Sequence, residues 1–225
     1  MRILALADEE PPADPVELVA RNHADAVVTL GDLRPEWIAS LDRLDLPRLG
    51  VHGNHDAEHA LVGAAVEDLH LARAEIGAWS FTGFEGCVRY RDGPHQYTQR
   101  QASRLVRRLP AADVLLCHCP PAGVNDEPDD RAHVGFTALR KWLERHQPRF
   151  LLHGHTTPDP RTRVHRLGPT TVIWVRGAAL VELPDAGPAA DPGPAADSGP
   201  AGDTGPAAES GPAAGSGPPE ESGPL

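Results

Sequence analysis

Side chains that can bind a metal ion occur at five separate places in the sequence, each directly after a short apolar run. The candidates are Asp8, Glu10, Asp32, Asn54, His118 and His155. Carboxylate and amide oxygens combined with imidazole nitrogens favour Mn, Fe, Zn or Mg over the metals that thiolate sites bind. Strand ends converge on one edge of an open α/β sheet, so five distant segments can form a single metal centre there.

The elements that must position these residues follow from the spacing of the apolar residues. Short apolar runs alternate with amphipathic stretches, which predicts an α/β layered fold with a mixed sheet. Strands are predicted at residues 3–7, 26–30, 48–51, 78–82, 114–117, 149–152, 171–175 and 179–183. Helices are predicted from Asp14-Pro15 onwards and at residues 35–44, 57–70, 98–109 and 136–146. The short segment Arg176-Gly177-Ala178 joins the last two strands and indicates an antiparallel hairpin.

The metal-binding motifs resemble, in type and order, the signature of the calcineurin-like metallophosphoesterases. That signature runs Asp-x-His, Gly-Asp, Gly-Asn-His-Asp/Glu, His and Gly-His-x-His. The corresponding segments of this chain lie between Asp8 and Thr157, and Gly53-Asn54-His55-Asp56 is the most specific of them. A single motif of this kind is weak evidence, but five in the same order are not expected by chance. The resemblance implies a four-layer α/β/β/α sandwich with a binuclear metal centre that hydrolyses phosphoesters.

Carried over residue by residue, the resemblance implies that the second of the two metal sites is complete. Asp32 would be the bridging carboxylate, and Asn54, His118 and His155 would be the other ligands. Two divalent ions, each Mn, Fe, Zn or Mg, would polarise the phosphoryl oxygens and lower the pKa of a bridging water.

The first metal site is altered. Its family ligands correspond to Asp8, Asp32 and two histidines, which are Glu10 and Thr157 in this chain. A carboxylate at position 10 can bind the same hard ions, whereas a neutral hydroxyl at position 157 is a poor ligand. We therefore expect the first site to bind its metal weakly or to depend on the substrate to complete it.

Two further residues of the Gly-Asn-His-Asp motif have catalytic roles by the same resemblance. His55 would face the leaving oxygen and donate a proton to it, and Asp56 would orient His55 and favour its charged form. Outside the ligands, His153, Asp126 and His133 are candidates for residues that surround the centre. For His153 a purely structural role is the favoured interpretation.

Composition divides the chain at residue 184. Residues 184–225 contain no basic or aromatic residue, repeat Gly-Pro-Ala with period six, and carry seven carboxylates. Such a segment cannot bury a core, which predicts a disordered, solubilising tail. The remaining residues 1–183 carry 25 acidic against 21 basic residues, a formal charge of −4, and are long enough for one metallophosphoesterase domain.

The same composition limits the location and the partners. Three cysteines without a framework spacing predict reduced thiols, and no apolar run has the ~20 residues that a membrane span needs. We therefore expect a cytoplasmic protein without a membrane contact, whereas the sequence leaves the oligomeric state open. Four arginines lie on one face of the helix predicted at 98–109, but the acidic total disfavours nucleic acid as the partner.

Three functional hypotheses remain from the sequence. The leading one is a metal-dependent phosphoesterase that acts on a phosphodiester or a small phosphomonoester. The second is a degenerate family member that keeps one metal and binds a phosphorylated ligand or protein without efficient turnover, since Thr157 replaces a ligand. The third is a nuclease, which would require the arginine face to adjoin the metal centre.

Overall fold

Two facing β-sheets with helices on both outer sides make up the part of the chain that the computed structural model describes, residues 1–185. The strands are β1 (Arg2–Ala7), β2 (Ala26–Thr29), β3 (Arg48–Gly50), β4 (Glu67–Asp68), β5 (Arg73–Ile76), β6 (Trp79–Phe84), β7 (Cys87–Val88), β8 (Gln96–Tyr97), β9 (Val114–Cys117), β10 (Phe150–His153), β11 (Val164–Leu167), β12 (Thr170–Trp174) and β13 (Gly177–Glu182). The helices are α1 (Pro15–Asn22), α2 (Pro35–Ile38), α3 (Ala60–Gly63), α4 (Gln99–Leu105) and α5 (Thr137–His146). Three short 3-10 turns cover Ala39–Arg43, Val106–Arg108 and Pro160–Thr162.

Both sheets are mixed, with parallel strands at the centre. The first sheet has the order β13-β1-β2-β3-β4, in which only β13 is antiparallel to its neighbour. The second has the order β11-β12-β10-β9-β6-β5, in which the two edge strands are antiparallel to their neighbours. Strands β7 and β8 form a small separate parallel pair. The parallel strands of each sheet therefore end at a common edge, where ligand sites of α/β proteins form.

Alternation of side chains along the strands produces the layers. In β1, Ile3, Ala5 and Ala7 belong to the apolar core between the sheets, and Leu4 and Leu6 belong to the core under α1. A third core forms on the far side of the second sheet, where strand residues pack against α4 and α5. Successive strand residues point to opposite faces, so each sheet is covered on both sides. Three apolar layers confirm the predicted four-layer α/β/β/α sandwich.

Most predicted elements are present, and the starts of the helices have clear causes. Asp14 caps α1, because its Oδ1 accepts a hydrogen bond of 2.8 Å from the backbone N–H of Val16. Thr98 and Gln101 form a reciprocal capping box at the start of α4. The helices predicted at 35–44 and 98–109 are each shortened, and end in a 3-10 turn. The three cysteines are free and buried.

The helix predicted at residues 57–70 is wrong for most of its length. Only Ala60–Gly63 is helical, and Ala65 then takes a left-handed conformation with φ of 52°. Glu67 and Asp68 pair with Leu49 and Gly50 as the edge strand β4. Hydrogen bonding at the open edge of β3 outweighs the helical propensity of the Ala-rich stretch.

The predicted hairpin of the last two strands is also wrong. Strand β12 lies between β10 and β11 in the second sheet, and both of its edges are occupied. Strand β13 instead pairs with β1 in the first sheet, from Arg2 opposite Glu182 to Ala7 opposite Gly177. The chain therefore crosses from one sheet to the other at Val175-Arg176-Gly177, at the edge where the parallel strands end.

Two expectations concern the chain as a whole. No helix within residues 1–185 is both long and apolar enough to cross a membrane. The predicted disordered tail lies outside the described residues, except for Pro184 and Asp185, which have no regular secondary structure.

We predict that Leu116→Ala lowers the free energy of unfolding by about 2–5 kcal/mol, since it leaves a cavity in the core between the sheets. Leu116 is fully buried in β9. The matched control is Leu180→Ala on β13, where the leucine is 41% exposed and we expect a loss of about 0.5 kcal/mol or less. Urea unfolding curves measure both, and equal losses would contradict the layered core.

Candidate metal centre

The predicted ligands, apart from Glu10, lie together at the edge where the parallel strands end. Asp8 follows β1, Asp32 follows β2, Asn54 follows β3, His118 follows β9 and His155 follows β10. The backbone N–H of His155 donates a hydrogen bond of 2.9 Å to Asp8 Oδ2, which joins the loops of the two sheets. The convergence of strand ends therefore brings the five segments together at one edge.

Tight backbone turns place these side chains. Asp8, Asp32 and His155 have φ angles of 61°, 54° and 67°, a left-handed conformation that is uncommon outside glycine and frequent at functional sites. Gly31 and Gly53 lie back to back, and a Cβ atom on Gly53 would lie 2.1 Å from Asp32 Oδ1. The glycines of the Gly-Asp and Gly-Asn motifs are thus required by the close approach of the two ligand loops.

Four potential ligand atoms surround one point: Asp32 Oδ2, Asn54 Oδ1, His118 Nε2 and His155 Nδ1. His118 Nε2 lies 3.1 Å from Asn54 Oδ1, 3.1 Å from His155 Nδ1 and 3.4 Å from Asp32 Oδ2. The edge of a tetrahedron with metal–ligand bonds of the usual length is about 3.4 Å. The three separations from His118 Nε2 are close to this edge length.

Hydrogen bonds to backbone carbonyls orient both imidazole rings. His118 Nδ1 lies 2.7 Å from the carbonyl oxygen of Leu30, and His155 Nε2 lies 2.7 Å from that of Ala132. Since a carbonyl only accepts, each of these ring nitrogens carries a proton. The other nitrogen of each neutral ring then has a lone pair directed at the shared point. Such second partners commonly fix the tautomer of metal-binding histidines.

The electrostatics of the four residues favour positive charge at this point. Burial acts to raise the pKa of Asp32, but the charge and hydrogen bond of His118, together with the contacts from His55, outweigh it and lower that pKa to about 2. Burial acts to lower the pKa of His118, but the Asp32 and Asp8 carboxylates raise it to about 9. Burial lowers the pKa of His155 to about 3, which keeps that ring neutral. The positive charge can be a proton on His118 or a metal ion that takes its place.

The residues of the altered first site do not join this group. Glu10 is exposed, and its side chain makes no hydrogen bond or ion pair within residues 1–185. Thr157 is exposed, and its hydroxyl accepts a hydrogen bond of 3.0 Å from Arg176 Nη1. Burial raises the pKa of Asp8 to about 6, and the charge of Asp32 adds to this effect. Asp8 is therefore the one residue specific to the first site that lies beside the four-atom group.

His55 lies at the open side of the centre. Its side chain is 56% exposed, and Nε2 lies 4.0 Å from Asp32 Oδ2. Its Nδ1 lies 3.0 Å from Arg91 Nη2, and because a guanidinium can only donate, Nδ1 accepts. A neutral His55 then carries its proton on Nε2, the nitrogen on the side of Asp32.

Asp56 has other partners than the expected ones. Its carboxylate accepts hydrogen bonds from the backbone N–H groups of Asp32, Leu33 and Gly53, at 3.0, 3.1 and 2.7 Å. These three bonds hold the two candidate ligand loops together. Asp56 therefore does not orient His55, whose ring is instead in contact with Arg91.

The three residues predicted to surround the centre lie in or next to the loop that carries Ala132. The ring of His133 packs against His155 at a centroid distance of 5.2 Å. Asp126 accepts hydrogen bonds from the backbone N–H groups of Gly123 and Gly135, so it shapes the loop without reaching the ligands. His153 is fully buried, and its Nε2 lies 3.0 Å from Asn125 Nδ2. Burial lowers its pKa to about 4, and a neutral structural histidine is the result.

Three further residues lie close to the centre and were not among the predicted site residues. Tyr90 accepts a hydrogen bond of 3.3 Å from Asn54 Nδ2, which turns the amide oxygen toward the metal position. Arg91 contacts His55, and Arg176 contacts Thr157. Tyr90 and Arg91 do not follow a predicted strand; Arg176 follows the strand predicted at residues 171–175, so its place at a strand end was a signal that could have found it.

A cavity of about 450 Å³ opens beside the centre. Asp8, Asp32, His55 and Asp56 form one side of it, and its other side is lined by Leu33, Arg34, Pro35, Trp37, Ala57 and Ala60. The Arg34 guanidinium lies over the Trp37 ring at 5.0 Å. The cavity has the size of small-molecule sites and combines an aromatic, partly apolar wall with a polar one.

Comparisons with known proteins show the fold and no more. No protein-family model matches the sequence, and no curated protein matches it either. The structure of TT1561 from Thermus thermophilus has a TM-score of 0.54 at 18% identity, and the match covers 77% of this chain and 88% of that one. A second solved structure has a TM-score of 0.55, also at 18% identity, with 76% and 89% covered. The shared architecture is the α/β/β/α sandwich.

We predict that His155→Ala weakens Mn binding by a factor of about 10–100 or more, because it removes one of four ligand atoms. The matched control is His165→Ala on β11, whose one side-chain hydrogen bond among residues 1–185 is to the carbonyl oxygen of Thr162. Calorimetric titration of metal-stripped protein measures both affinities. Equal affinities for the two variants would exclude His155 as a ligand.

Proposed function

We propose that this protein is a metal-dependent phosphoesterase that hydrolyses a phosphodiester or a small phosphomonoester. The observation that carries the proposal is the convergence of four ligand atoms, with both ring tautomers fixed by carbonyls. A divalent ion bound there would polarise a phosphoryl oxygen and activate a water molecule. We propose Mn, Fe, Zn or Mg as the ion, since the donor set is one carboxylate, one amide and two imidazoles.

The residues of the chain have separate tasks in this reaction. Asp32, Asn54, His118 and His155 hold the ion, and Asp56 holds the ligand loops. His55 presents its Nε2 proton toward the leaving oxygen, where negative charge develops as the ester bond breaks. Arg91 keeps that proton on Nε2 through its contact with Nδ1.

The cavity beside His55 supports a small substrate with a partly apolar leaving group. Trp37 offers an aromatic surface, and the volume of about 450 Å³ suits one ring system. We propose a small phosphorylated molecule over nucleic acid, because the formal net charge of −11 opposes the approach of a polyanion.

A second candidate is a family member that binds a phosphorylated ligand or protein without efficient turnover. The position of Glu10, exposed and outside the ligand group, favours it. The two candidates differ in turnover and not in metal binding.

Hydrolysis of bis-p-nitrophenyl phosphate by the full chain tests the proposal. We expect activity that requires Mn, is lost after chelation, and falls at least about 100-fold in Asn54→Ala, because the amide oxygen is a ligand. Metal-loaded protein that binds inorganic phosphate but hydrolyses neither this diester nor p-nitrophenyl phosphate would favour the second candidate.

We predict that His55→Ala lowers turnover by about 100-fold for a poor alkoxide leaving group and far less for nitrophenolate, which needs no donor. Mn affinity should not change, because His55 is not a ligand. His59→Ala, an exposed histidine in the same loop, is the matched control and should keep full activity. A loss that is the same for both leaving groups would remove His55 from this role.

A further inference from the structure

The crossing between the two sheets places an arginine at the edge where the ligands lie. Arg176 stands between Val175, which is fully buried, and Gly177, which has φ of 67° and begins β13. The backbone N–H of Val175 donates a hydrogen bond of 2.8 Å to His153 O, directly before the Gly154-His155 loop. The crossing is therefore anchored on both sides, and its one exposed residue is Arg176.

Contacts with the altered first site orient the guanidinium group. Nη1 donates to Thr157 Oγ1 at 3.0 Å, and Nη2 lies 2.7 Å from Glu9 Oε1. Thr157 is the position at which the resemblance implies a histidine ligand. A guanidinium has five N–H donors, so two contacts leave donors free on a side chain that is 40% exposed.

A second metal ion does not fit these residues. The Thr157 hydroxyl is neutral and already accepts from Arg176, and Glu10 lies outside the ligand group. Of the ligands specific to that site, Asp8 remains, and its Oδ2 accepts from the backbone of His155. A metal ion there would also face the positive charge of Arg176, which repels it.

We propose that Arg176 binds the phosphate group of the substrate in the place where the family uses a second metal ion. The inference rests on the proposed function for the identity of the ligand, a phosphoester. A guanidinium binds phosphate oxygens through two parallel N–H bonds and carries a fixed positive charge. It cannot activate water, so the single ion held by Asp32, Asn54, His118 and His155 must supply that chemistry.

Binding measurements on the full chain test this proposal without any need for turnover. We expect metal-stripped protein to take up one equivalent of Mn in calorimetric titration. The affinity of the Mn-loaded protein for inorganic phosphate should fall on the order of 10- to 100-fold in Arg176→Met. The Mn affinity of that variant should equal that of the wild type, which also shows that it is folded. Arg176→Lys keeps the positive charge but lacks the two parallel N–H donors of the guanidinium, so we expect an intermediate loss of phosphate affinity.

The chain offers a matched control. Arg166 on β11 is also exposed, and its Nη1 donates to a threonine hydroxyl, that of Thr171, at 2.9 Å. Arg166→Met should leave both affinities unchanged. The double variant Thr157→His with Arg176→Ala should gain a second Mn-binding event, since it restores a nitrogen donor and removes the competing charge.

The outcomes separate this proposal from the proposed function. Two equivalents of Mn bound by the wild type, or phosphate affinity within twofold of the wild type in Arg176→Met, would overturn the role of Arg176. A protein that hydrolyses no phosphoester but loses phosphate binding in Arg176→Met would contradict the proposed hydrolysis and still support this role.

Discussion

The meeting of four lone-pair atoms at one point is the constraint on which the rest of the structure depends. Oxygen and nitrogen lone pairs about 3 Å apart repel each other unless a positive charge lies between them. His118 and Asn54 come from different sheets, so the point lies where the edges of the two sheets face each other. A positive charge can therefore be bound at this point only if the two sheets keep their relative positions. The carbonyl oxygens of Leu30 and Ala132 must also continue to orient the two histidine rings.

A second buried cluster secures the loop that carries Asn54. Glu85 follows β6, and its carboxylate contacts His52 and His95 at 3.2 and 3.1 Å and the hydroxyl of Tyr97. Burial acts to raise the pKa of Glu85, but these donors hold it well below its usual range. His52 directly precedes Gly53-Asn54, and its carbonyl oxygen accepts from Gly86. A buried anion thus connects the end of β6 to the loop after β3 that carries the candidate ligand Asn54.

Features that depend on residues close together in the sequence could be predicted, whereas contacts between residues far apart in the sequence could not. The candidate ligands could be predicted because strand ends and glycine turns are local features, as at Gly53-Asn54. The true partner of the last strand could not be predicted, because the pairing of β13 with β1 joins residues about 180 positions apart, such as Arg2 and Glu182. Arg176 follows the predicted strand at residues 171–175, but its contact with Thr157 depends on that long-range crossing and could not be predicted from the sequence.

Charge balance explains why one metal ion and one arginine suit this centre. Asp8, Asp32, Asp56 and Glu9 supply four negative charges around the candidate ligand atoms and the guanidinium. One divalent ion together with Arg176 supplies three positive charges, so a phosphate group would enter a site that is close to neutral before it binds. The fixed charge of arginine also does not vary with metal supply, so one metal-binding equilibrium alone would decide whether the centre is complete.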